Sequence, residues 1–111
     1  MFHTKKDDKT AEFQATIVPL IESFKEKMAS YDDAFHQAIV TKIDEGLKEI
    51  SRKNSSILSI SLKVKWLIKE IGAIKHDGQV TLTTEESDLY RSIEDTNAKY
   101  SDKGHGAFFK I

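Results

Sequence analysis

Between residues 57 and 74 the apolar side chains Ile57, Ile60, Val64, Leu67, Ile71 and Ile74 recur at alternating spacings of three and four. That is the period of an α-helix with one buried stripe, so the segment must pack against neighbours along its whole length. Lys63, Lys65, Lys69 and Glu70 interrupt it, which excludes a bilayer span. The same helix carries Leu58, Leu62 and Trp66 at i, i+4 and i+8, nearly opposite the main stripe. A helix apolar on two faces is either covered on both or presents a patch to a partner. The expectation adopted is cover by neighbours, including a Phe108-Phe109 tail. Trp66 is the residue to watch, because partly exposed tryptophans are enriched among binding hot spots.

The flanking sequence predicts three more helices. Residues 8–29 place Phe13, Ile17, Leu20, Ile21, Phe24 and Met28 on one stripe, with Pro19 expected to kink or break the helix because it lacks an N–H and crowds the carbonyl of Ala15. In residues 32–52, Asp32 or Asp33 can cap a helix whose apolar positions are Phe35, Ile39, Ile43, Leu47 and Ile50. Gly46 beside that stripe either admits a neighbouring helix closely or is merely tolerated, at about 1 kcal/mol of helix propensity. Ser55 or Ser56 caps the third helix, 56–76, which closes at Lys75-His76-Asp77-Gly78, where glycine can take the left-handed conformation. Val80, Thr81 and Leu82 are too few to read as a strand. Thr83 and Glu86 form a capping box for a shorter helix, 84–100, with Leu89, Ile93 and Tyr100 on one face. Asp102-Lys103-Gly104-His105-Gly106 is expected to end it before an apolar tail, 101–111, that folds back over Leu58, Leu62 and Trp66. The fold class read from these patterns is all-α: an antiparallel up-down four-helix bundle with an apolar C-terminal tail, one domain over residues 1–111.

Composition narrows the function. With no cysteine in 111 residues, disulfides and thiolate zinc sites are excluded. The first ten residues mix Lys5, Lys6 and Lys9 with Asp7 and Asp8 and lack the apolar core of a signal peptide, so a cytoplasmic location is expected. Seventeen basic residues face eighteen acidic ones, leaving no electrostatic footprint for nucleic acid. One local asymmetry stands out: residues 56–75 carry four lysines against Glu70, and residues 77–95 carry six acids against Arg91, so the two segments are placed to attract each other.

Catalytic and cofactor signals are absent. His3, His36, His76 and His105 are scattered, without HExxH spacing, so no metal or other cofactor is expected. His36, near the apolar face of the second helix, reads as a hydrogen-bonded histidine at a packing boundary. There is no Walker-type loop, GxSxG elbow or GxGxxG, and Gly104-His105-Gly106 is too short to mean more than a turn. The expectation is a binding protein and not an enzyme.

From residue 57 onward, an apolar third helix ending in Ile-Lys-His-Asp-Gly precedes Val80-Thr81-Leu82-Thr83-Thr84-Glu85-Glu86, a fourth helix with Leu89 and Ile93, and a glycine-aromatic tail. With its size, its lack of cysteine and its helix order, the chain resembles the immunity proteins that protect lactic acid bacteria and their relatives from pediocin-like, class IIa bacteriocins. The resemblance is spread over the whole length. It implies a cytoplasmic bundle that acts from inside the cell by locking the bacteriocin onto its receptor, the membrane components of the mannose phosphotransferase permease, so that membrane contact is peripheral and made through the receptor. In that family the C-terminal half tends to decide which bacteriocin is resisted. Carried over by region, this points to Leu58, Leu62, Trp66, Arg91, His105, Phe108 and Phe109 as partner contacts. The competing readings are a helical adaptor or antitoxin-type module sharing the same patch, and a small DNA-binding regulator using Lys63, Lys65 and Lys69.

Overall fold

A computed structural model describes the backbone of residues 2–110 and the side-chain surroundings of residues 9–101. The chain forms four helices, α1 (Phe2–Ala29), α2 (Ala34–Ile50), α3 (Ile57–Gly78) and α4 (Thr84–Lys110), joined by short connections at 30–33, 51–56 and 79–83. Consecutive helices pack side by side and α4 closes the bundle against α1. Among the described residues α1 and α3 also touch across the bundle, whereas α2 and α4 do not, so the cross-section is a rhombus with α1 and α3 on its short diagonal.

Local chemistry sets the helix ends. Asp33 caps α2, its carboxylate accepting from the His36 N–H at 2.9 Å. Ser56 caps α3 in a reciprocal pair with Ser59, each hydroxyl accepting from the other's backbone N–H at 3.1 Å. At α4 the expected box is present: Thr83 Oγ1 accepts from the Glu86 N–H at 3.1 Å, and Glu86 Oε1 from the Thr83 N–H at 2.9 Å. The C-terminus of α2 is closed from another helix, since Gln14 Nε2 of α1 donates to the carbonyls of Ile50 (2.8 Å) and Arg52 (2.7 Å). This long-range cap has no local sequence signature.

The core is drawn from the predicted stripes. Phe13, Ile17, Ile21, Phe24 and Met28 of α1, Ile39, Ile43 and Ile50 of α2, Ile60, Val64, Leu67 and Ile71 of α3, and Ile93 and Tyr100 of α4 are buried. Burial of each large side chain favours folding by about 1.5–3 kcal/mol. Phe13 stacks on Tyr100 at 4.7 Å between ring centroids, tying α1 to α4. Gly46 does admit its neighbour: a Cβ there would lie 3.2 Å from Leu67 Cδ2.

Five expectations are corrected. Helix α1 starts at Phe2, ahead of residue 8, and of the kink or break expected at Pro19 the break is absent. Pro19 and Ala15 are both exposed, so water can take the freed carbonyl, while wholly buried Ile17 and Ile21 on either side hold the helix in place. Their packing exceeds the roughly 3 kcal/mol cost of an interior proline. The stripe of α2 runs through His36, Ile39, Ile43, Gly46 and Ile50, leaving Phe35 43% exposed and Leu47 only partly covered. The C-cap that closes α3 has its left-handed residue at Gln79 (φ 50°) and not at Gly78. Finally, α4 does not stop near residue 100 but stays helical through Lys110, across Gly104 and Gly106. Each helical glycine costs about 1 kcal/mol, and extending an existing helix carries none of the nucleation cost.

Candidate functional site

Because Ile60, Val64, Leu67 and Ile71 turn inward, the 100° step of the helix carries Leu58, Leu62, Lys65 and Lys69 to the opposite, outer side of α3. Leu58 is 49% and Leu62 56% exposed, so the neighbouring helices do not cover this face. Trp66 lies half-buried on the edge nearer α2, partly packed against the core. Lys63 Nζ sits 4.2 Å from its ring centroid and Lys42 Nζ of α2 lies 5.7 Å from it. Lys65 and Lys69 are exposed.

Of the predicted contact residues, Leu58, Leu62 and Trp66 are thus brought together on one surface. Arg91 is exposed on α4, a different element, and makes no ion pair among the described residues. His105, Phe108 and Phe109 belong to α4, and their side chains lie outside the described residues, as does the expected cover of α3 by the tail. The attraction expected between residues 56–75 and 77–95 does not take the form of an ion pair among the described residues. Lys75 instead packs over the Tyr90 ring, 5.2 Å from its centroid. Burial beside α3, helped by nearby Glu94, pushes the Tyr90 hydroxyl up to about 12, and the protonated hydroxyl donates to the Ile68 carbonyl at 2.9 Å.

A second polar grouping, whose Asp33, His36 and Glu86 the sequence named singly without joining them through Tyr31, sits where the 30–33 connection meets the start of α4. His36 stacks on Tyr31 with centroids 3.9 Å apart, and its Nδ1 lies 2.6 Å from Asp33 Oδ2. The Tyr31 hydroxyl donates to Glu86 Oε2 at 2.7 Å. Burial pushes the Glu86 carboxyl up, but hydrogen bonds from Thr83 and Tyr31 outweigh it, with help from the nearby His36, and hold the group below its ordinary range. The Asp33 carboxyl is lowered mainly by the His36 backbone N–H. The other imidazole nitrogen, His36 Nε2, is enclosed without a partner, so a substrate has no access to it. This is an Asp–His pair used as a joint between the helix ends. Between α3 and α4, buried Asn97 donates to the Ser61 carbonyl at 3.4 Å.

Among the described residues no three acidic or histidine side chains are grouped to hold a metal ion, and no helix is long and apolar enough to cross a membrane. Comparison with protein-family models, curated proteins and solved structures finds no match.

Proposed function

We propose that this chain is a binding protein that works through the outer face of α3, and that it protects a cell from a pediocin-like bacteriocin by engaging the receptor–bacteriocin complex from the cytoplasmic side. The observation that carries the first half is the exposure of Leu58 and Leu62, 49% and 56%, on a bundle whose core is complete without them. Apolar side chains left in water at regular helical spacing gain only when something covers them. The second half rests on the sequence resemblance, with which a four-helix bundle agrees, and takes the mannose phosphotransferase permease components with their bound bacteriocin as the partner.

The test is expression inside a bacteriocin-sensitive cell. The chain protects when made inside and not when added outside. Leu58→Ser with Leu62→Ser abolishes protection while changing stability by no more than about 0.5 kcal/mol per site, as exposed substitutions do. Protection unaffected by the double substitution contradicts the assigned face. Direct inactivation of bacteriocin by the purified chain in solution contradicts the mechanism.

A further inference from the structure

We infer that the outer face of α3 seats directly on an anionic lipid surface. The inference takes its setting, action against a bilayer, from the function proposed above; the lipid contact itself is argued from the residues. From 57 to 69 the helix carries three lysines and no acid. Among the described residues Lys63, Lys65 and Lys69 make no ion pair; Lys63 lies over the Trp66 ring, and Lys65 and Lys69 present their charge on the exposed face. Three acids of α2 and α3 are paired with other cations: Glu70 is 3.6 Å and Glu45 3.8 Å from Lys42, and Glu49 is 3.1 Å from Arg52.

Leu58 and Leu62 stand exposed on the outside of a single helix, flanked by exposed Lys65 and Lys69, so apolar and cationic groups share one face. That is the layout of an interfacial helix: leucines enter the headgroup–acyl boundary, long lysine stems reach back to phosphate, and an indole rests at the interface. Trp66, with the Lys63 ammonium 4.2 Å from its ring, borders this face on the side of α2.

The experiment uses the full chain with vesicles of phosphatidylcholine alone or mixed with phosphatidylglycerol, at low salt, read by co-sedimentation and by emission of the single tryptophan. Binding is expected to the anionic vesicles only, with a blue shift of Trp66, and to fall as salt rises. Lys65→Gln with Lys69→Gln lowers the partition coefficient by roughly 25-fold, about fivefold per lysine. Leu62→Ser removes the blue shift. Lys48→Gln, exposed on α2, is the control and leaves binding unchanged. Equal binding to neutral vesicles, no binding to anionic ones, or binding that survives the paired lysine substitution overturns the inference. If vesicles are not bound but expressing cells are protected and Leu62→Ser removes protection, the face belongs to a protein and only the lipid contact falls. If vesicles are bound as expected but cells are not protected, the lipid contact stands and the immunity reading falls.

Discussion

Gly78 has no room for a methyl group: a Cβ there would run into the Phe35 ring, well inside van der Waals contact. Its backbone is not left-handed, so the glycine serves the close approach of Phe35 and not the turn. Gly78→Ala must therefore displace the ring, and should destabilise by about 1–3 kcal/mol, as overpacking does. Adding Phe35→Ala should recover most of that loss in a double-mutant cycle measured by urea unfolding; additive losses would mean the two residues do not meet. Glu86 supplies a pH test. Its folded carboxyl titrates below its unfolded value, so its contribution is present above the unfolded value and is lost as pH falls through the folded one. Glu86→Gln should flatten the acid side of a melting-temperature profile, below about pH 5, relative to the parent chain. An unchanged profile would assign the acid sensitivity to other carboxylates, such as Asp33.

At the scale of the helices, Pro19 marks the main local conflict. Pro19→Ala restores the N–H donor that the exposed Ala15 carbonyl lacks, and should raise stability by about 1–3 kcal/mol without moving the helix ends. A lower melting temperature would show that the proline's constraint on the unfolded chain outweighs the missing bond. The stripe of α1 was legible because every core position is apolar, and that of α3 because buried Ser61 is its single polar exception among the described residues. That of α2 was only half legible: His36, Ile39, Ile43, Gly46 and Ile50 follow the same alternation of three and four seen in α3, but two of the five are not hydrophobic. Reading apolarity alone moved the pattern onto Phe35 and Leu47. In α4, Glu86 and Asn97 occupy buried positions, hidden from a hydrophobic pattern for the same reason. Besides the local Thr83 box on Glu86, both have partners distant in sequence, Tyr31 and Ser61, that no local window contains.

For the whole molecule, the candidate surface was legible as a second apolar row on α3, since three residues at spacings of four need no tertiary information. Whether that row is covered depends on where α2 and α4 sit, which the sequence pattern does not state. The rhombic packing answers it, and has a further consequence in time. Within the described residues α1 and α3 each touch all three other helices, and α2 and α4 only two. Opening α1 or α3 therefore dismantles the domain, whereas α2 or α4 can detach with one side of the bundle intact. In deuterium exchange, the amides of residues 13–28 and 60–71 should be the last to exchange, at the rate of global unfolding; slowest exchange in α2 or α4 would contradict this. The ridge offered to the outside thus belongs to an element that does not give way. A docked chain would ride on its third helix like a keel, tilting as one rigid body while the second and fourth helices breathe.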